Sequence, residues 1–258
     1  MTMTTTMKPI NKTKTILEIC AADIDSAYAA ARGGADRIEL CCALGEGGLT
    51  PSAGTIEEAL TLPEIKVNVL IRPRAGDFVY SEAELRVMLR NIETCRKLGV
   101  NGVVFGVLRP DGDIDLSACS RLAKAAEGMH MTFHRAFDMC RNPRKAVGDI
   151  LELGFDRILT SGQEVSAMAG AAFIRELQLE FPEMTFIAAG GVIPSNVSEI
   201  VALSGVREIH ASAKKSVESS MTFRRMSVSM GKTGIDEYIR QTSDIEKIRQ
   251  IATKLKTT

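Results

Sequence analysis

Long apolar runs are missing from this sequence, and so is net charge. No uninterrupted apolar stretch approaches the ~20 residues that a membrane-spanning helix needs, which excludes such a span. Lysine plus arginine and aspartate plus glutamate each number 32, for a formal net charge of zero. That balance excludes the basic stripe of a nucleic-acid binder and the polybasic face of a membrane-surface protein. No Cys-x-x-Cys pair occurs, which argues against a tetrahedral zinc site. The stretch from Met1 to Lys14 has no apolar core, so it is not a secretory signal. Residues 1–14 are expected to form a disordered leader, and the spacing of Met1, Met3 and Met7 makes no repeat. Six cysteines without a secretory signal predict free thiols in a reducing cytoplasm.

What is present fits a single α/β domain over residues 15–258. The chain has 258 residues, 45% hydrophobic and 25% charged, the mix of a globular protein and the length of one α/β barrel. Eight short apolar segments read as strands: Thr15–Cys20, Ala35–Cys41, Lys66–Ile71, Gly102–Val107, Met129–His134, Arg157–Thr160, Thr185–Ala188 and Arg207–Ser212. Helical stretches separate most of them, with readable ends. Asp25 is placed to cap Ser26–Arg32, Ser81 and Glu84 have capping-box spacing, Pro143 suits a first turn, and Ser195 precedes a helix to Leu203. Glycine stands just before a strand at Gly34, Gly99, Gly154 and Gly205, a faint repeat that favours closure into a (β/α)8 barrel. An open doubly wound sheet is the alternative, but the turn Ala21-Ala22-Asp23 lacks the glycines it would need. Residues 213–242 read as polar and irregular, and a last helix is expected over Asp244–Lys256.

In a parallel barrel, one parity of each strand packs on helices and the other faces the interior. Leu17 and Ile19 pack outward, so Glu18 and Cys20 face in; Ile38 and Leu40 likewise leave Glu39 and Cys41 inside. The same rule turns Asn68, Arg72, Thr132, His134, Glu208, His210 and Ser212 inward. Unpaired charge is too costly there, so Glu18, Glu39 and Arg72 are expected to neutralise one another, with Arg74 just above. A polar plug without chemistry is one reading of this cluster. The other is a site, since polar groups at the ends of barrel strands commonly form one.

His134, followed by Arg135 and Asp138, suits general acid–base work, with Glu39 as a second proton carrier. Arg72 and Arg74 would hold an anion, Glu18 and His210 would stand beside it, and Gly190, Gly191 and Ser212 would bring backbone N–H groups to it. Cys20 and Cys41 point inward from adjacent strands, about 4.8 Å apart, which suits two thiolates on Cu(I) or two buried thiols used as small hydrophobes. Cys42, Cys95, Cys119 and Cys140 are scattered and read as structural.

Several of these stretches together resemble the CutC family of copper homeostasis proteins. They include Leu17-Glu-Ile-Cys20, Gly33-Gly-Ala-Asp-Arg-Ile-Glu-Leu-Cys41, Glu46-Gly-Gly-Leu-Thr-Pro-Ser52, Ile71-Arg-Pro-Arg-Ala-Gly-Asp-Phe-Val-Tyr80, Thr132-Phe-His-Arg-Ala-Phe-Asp138 and His210-Ala-Ser212. The resemblance runs from about residue 16 to the end. It implies a TIM-type barrel in the cytoplasm, a homo-oligomer (dimer or tetramer), and Cu(I) binding carried onto Cys20 and Cys41. Two functions stand side by side. One is Cu(I) binding in copper homeostasis. The other is an enzyme of lyase, isomerase or hydrolase type acting on a small anionic or sugar-derived substrate. No organic cofactor, nucleic acid or membrane partner is implied.

Overall fold

Eight parallel strands close into a barrel because the first pairs on both sides, with the second and with the eighth. In the computed structural model, which describes residues 14–228, 230 and 236–257, these strands are β1 (Ile16–Ala21), β2 (Arg37–Leu40), β3 (Lys66–Leu70), β4 (Gly102–Phe105), β5 (His130–Phe133), β6 (Arg157–Thr160), β7 (Thr185–Ala188) and β8 (Glu208–Ala211). Helices α1 (Ile24–Gly33), α2 (Ala53–Leu60), α3 (Glu82–Leu98), α4 (Leu116–Ala125), α5 (Pro143–Glu152), α6 (Ala171–Glu180) and α7 (Val197–Ser204) follow the first seven strands in turn. The architecture is the expected (β/α)8 barrel. Of the expected leader, residues 1–13 lie outside the described part, and Lys14 pairs with Asp36.

Strand parity shows directly in the packing. Leu17, Ile19, Ile38, Leu40, Val67, Val69 and Ile71 join the large core shared with the helices. Cys20, Cys41, Leu70 and Val104 form a separate apolar cluster inside the barrel, and Leu159, Ile187 and Ala189 form another. A parallel strand buried on both faces therefore separates two environments residue by residue.

Helix ends follow local chemistry, with two corrections. The Ser81–Glu84 capping box is present in full, Pro143 opens α5, and Gly99 closes α3 in the left-handed conformation. Asp23, not Asp25, caps α1: its side chain accepts the N–H of Ser26 at 2.6 Å, while Asp25 sits in the first turn. Asn196, not Ser195, is the N-cap residue of α7, and its side chain turns back to the N–H of Ile193 instead of capping.

The segment after β8 also departs from expectation. Within it, β9 (Lys214–Glu218) and β10 (Ile239–Ser243) form an antiparallel ladder before α8 (Ile245–Thr257). Ser26 on α1 anchors this hairpin. Its hydroxyl accepts the N–H of Ser243 at 2.9 Å and lies 3.1 Å from the hydroxyl of Thr242. The anchoring brings α8 against α1 and Lys214 to the rim of the barrel mouth. Among the described residues no helix is long and apolar enough to cross a membrane.

Candidate functional site

Strand register builds the interior in layers. Glu18 lies beside Arg37 on one side and His210 on the other, and one step further up Cys20 lies beside Glu39. In the lower layer Arg37 Nε donates to Glu18 and Arg37 Nη2 to Glu208, whose carboxylate also takes Arg157 Nε at 3.1 Å. His210 Nδ1 lies 2.7 Å from Glu18 Oε1. Burial alone would raise the Glu18 pKa, but Arg37 and His210 outweigh it and hold the carboxyl at about 2. The expected mutual neutralisation of Glu18, Glu39 and Arg72 is therefore corrected. Arg37, two residues before Glu39 and of the same parity, is the cation that Glu18 meets.

Above this network a cavity of about 900 Å³ opens at the C-terminal ends of the strands. Cys20, Glu39, Arg72, His134, Asp138, Gly190, Gly191, His210 and Ser212 line it, together with Phe78, Arg135, Lys214 and Lys247. Three other sequence-derived candidates do not reach its wall. Glu18 lies beneath it, and Cys41 is fully buried behind Cys20. Arg74 faces away, its guanidinium bonded to Glu84 and Asp77 and stacked over the ring of Tyr80.

One side of the cavity is soft and acidic. Cys20 Sγ and Cys41 Sγ are 3.7 Å apart. A ring nitrogen of His210, a carboxylate oxygen of Glu39 and Cys20 Sγ all lie within 4.8 Å of one another. The bond to Cys41, together with burial, pushes the Cys20 thiol well above its ordinary range. Burial works against a charged His210, but Cys20, Glu18 and Glu39 outweigh it and keep the imidazole protonated well above its usual pKa. Burial pushes Glu39 up to about 7, and its Oε2 has no hydrogen-bond partner.

The other side carries donors. His134 caps the turn that follows β5: its Nδ1 accepts the N–H of Ala136 at 3.3 Å, which assigns the ring proton to Nε2. Burial and the charge of Arg72 lower the His134 pKa to about 3, so this imidazole is neutral. Arg72 gives Nη1 to the carbonyls of Glu46 and Gly48 and Nη2 to that of Gly76. Both Arg72 Nε and His134 Nε2 are buried without a partner.

Asp138 spends its oxygens on the loop after β6. It accepts from Arg135 Nε, the Thr160 and Ser161 hydroxyls, and the backbone N–H groups of Ser161 and Gln163. Gly190 and Gly191 turn the chain with φ of +95° and +69°, a region open to glycine. Sequence reasoning missed Arg37, Phe78, Lys214 and Lys247. Strand parity was the available signal for Arg37; the other three depend on loop and hairpin geometry.

Fold and mouth together define a TIM-type barrel whose polar site sits at the C-terminal end of its strands. Residues 15–215 match the CutC family, to which the chain belongs. It is 47% identical over 234 residues to a CutC family protein of Bacteroides thetaiotaomicron, covering 90% of this chain and 94% of that one. It is 41% identical to the human copper homeostasis protein cutC homolog, covering 92% and 87%. A crystal structure of CutC from Streptococcus agalactiae superposes with a TM-score of 0.73 at 33% identity, covering 77% of this chain and 98% of that one.

Proposed function

We propose that this chain binds Cu(I) at the barrel mouth, with Cys20 as the leading ligand and Cys41 and His210 completing a soft donor set beside Glu39. One observation carries the reading: two sulfurs 3.7 Å apart, with an imidazole nitrogen and a carboxylate oxygen gathered around the first. Thiolate and imidazole are the donors that suit Cu(I). Nδ1 of His210 is engaged by Glu18, which orients the ring as carboxylate partners of ligating histidines do and makes Nε2, once deprotonated, the atom for the metal. Because the Cys20 thiol and the His210 imidazole are both held protonated, binding must release a proton from each. The reading includes a cytoplasmic location, where free thiols persist, and a homo-oligomer, as family membership leads us to expect.

Competition titration of the reduced protein with Cu(I) and a Cu(I) chelator tests it. The Cys20→Ser/Cys41→Ser double variant is expected to bind at least about a hundredfold more weakly, beyond the range seen when only outer partners are lost. Equal affinity and stoichiometry in both proteins would remove the reading.

Cavity size favours a second reading. About 900 Å³ accommodates a metabolite and far exceeds what one ion needs. In this reading the barrel acts on a small anionic or sugar-derived substrate, with Glu39 and His134 flanking it and Gly190, Gly191 and Ser212 at its far end. Turnover lost in His134→Gln while ligand binding persists would support it. Unchanged turnover would refute the role of His134.

A further inference from the structure

The ladder between β7 and β8 opens at the rim of the barrel mouth. Its pairs are Ile187 with Glu208 and Ala188 with Ile209, so Gly190 and Ser212 leave two adjacent strands side by side. Gly190 and Gly191 turn in the left-handed region, as does Ala213 with φ of +46°, so neither chain runs on straight. The backbone groups of Gly190, Gly191, Ser212 and Ala213 divide unevenly. Every carbonyl is taken: Gly190 accepts the N–H of Ala167 at 2.8 Å, Gly191 the side-chain amide of Asn196 at 2.9 Å, Ser212 the hydroxyl of Ser243 at 2.9 Å and Ala213 the N–H of Asp244 at 2.8 Å. None of the four N–H groups, nor the Ser212 hydroxyl, has an acceptor among the described residues.

All four residues line the cavity, where Gly191 is exposed and Gly190 and Ser212 are half-buried. What the two glycines expose is backbone, since they have no side chain. With every carbonyl bonded within the fold, this stretch of wall offers donors without acceptors, an arrangement that binds anions. Charge of the matching sense stands beside it. Lys214 follows Ala213, and Lys247 on α8 donates Nζ to the Lys214 carbonyl at 2.6 Å, which brings both lysines to one rim. Both line the cavity and both are exposed. Neither has an ion-pair partner among the described residues, and the nearby Asp244 goes to Lys215. Arg135 adds an edge: Nε and Nη2 are taken by Asp138 and Ser161, while the unused Nη1 lies 3.6 Å from where a Cβ on Gly190 would stand.

We propose that this wall is a phosphate-binding site, which takes the phosphoryl group of a small phosphomonoester on the N–H groups of Gly190, Gly191, Ser212 and Ala213, the Ser212 hydroxyl, and the ammonium groups of Lys214 and Lys247. Two unpaired positive charges match the dianion of such an ester, and its three terminal oxygens use more of these donors than the two of a carboxylate would. A cavity of about 900 Å³ has room for the organic part as well. The site uses neither the Cu(I) ligands nor the proton carriers Glu39 and His134. It rests on the second functional reading, whose anion it identifies, but it needs binding only.

The test uses full-length, reduced, copper-free protein labelled with 15N. It is titrated with methyl phosphate and with acetate at constant ionic strength and about pH 7.5, where the ester is largely dianionic. Backbone amide signals of Gly190, Gly191, Ser212 and Ala213 are followed beside calorimetry. Methyl phosphate is expected to bind in the millimolar range or tighter and to move these amides downfield. The Lys214→Gln/Lys247→Gln double variant is expected to bind it at least tenfold more weakly. None of the four amides moving would overturn the site, as would undiminished affinity in the double variant. Acetate moving them with equal affinity would overturn the phosphate class. The wild-type amides decide the matter even where the variant fails to fold. Turnover lost in His134→Gln beside unmoved amides would keep the enzymatic reading and overturn this site, and moved amides with turnover unchanged in that variant would do the reverse.

Discussion

Arg37 is held by two carboxylates at once, Glu18 through Nε and Glu208 through Nη2, at a position 5% exposed. Removing one member of such a buried group strands the others. Arg37→Met is therefore expected to destabilise the fold by about 3–5 kcal/mol, with Arg157 and His210 as the remaining cations. Urea unfolding measures this, and a loss below about 1 kcal/mol would mean that those two neutralise the carboxylates unaided. The inward facing of Glu18, Cys20, Glu39 and His210 was legible in the sequence because strand period alone decides it. The same period turns Arg37 inward, but one layer below the strand ends, where a barrel site is not expected. Arg74 was not legible. Strand β3 ends at Leu70, Pro73 intervenes, and beyond that point alternation no longer says where a side chain points.

Among the elements, α8 depends on one small residue. Gly33 closes α1 where α8 crosses it, and a Cβ there would lie 2.5 Å from Ile248 Cγ2 and 2.7 Å from Ile248 Cβ. Ile248 is fully buried and branched at Cβ, so it cannot swing aside cheaply. Although alanine is the better helix former, Gly33→Ala is expected to destabilise by about 1–3 kcal/mol, as overpacking does. Thermal unfolding measures the loss, and hydrogen exchange should show it concentrated in α8. Unchanged stability with normal protection would mean that the two helices separate without cost. The helix itself was readable from its apolar period, whereas the hairpin before it was not. Along β9 four of five residues are exposed and the fifth half-buried, so no alternation marks it as a strand. Its pairing with β10 and its anchor on Ser26 join residues distant in the chain, beyond the reach of any local pattern.

For the whole molecule, formal neutrality conceals buried groups whose titration pulls in opposite directions. Glu18 is held at about 2 in the fold against an ordinary 4.5, so the unfolded chain binds more protons between those values. Its contribution is complete above pH 4.5 and is lost as pH falls toward 2. Glu39 behaves in reverse. Burial raises it to about 7, so between 4.5 and 7 the folded protein holds the proton more tightly, and stability falls as pH rises through that window. His210, kept protonated above its usual range, adds a loss of the same sign above pH 6.5. His134, lowered to about 3, works the other way: between 3 and 6.5 the unfolded chain binds the extra proton, so its contribution rises with pH and offsets that of Glu39 between 4.5 and 6.5. The copper-free protein should therefore be most stable near pH 4.5–6.5 and weaken toward pH 8, with Glu39 accounting for a loss of about 3 kcal/mol. Urea unfolding of the reduced, copper-free protein across pH 3–8 tests this, with Glu39→Gln beside it. The amide cannot ionise, so the variant should gain stability relative to the wild type as pH rises from 4.5 to 7, while keeping the acid limb set by Glu18 and His134. An equal slope in both proteins would mean that water or a neighbouring cation solvates the Glu39 carboxylate. Cu(I) reverses the sense of the profile. Its ligands must shed protons to bind, so its affinity, and the stability it confers, should rise over the same range in which the empty protein weakens.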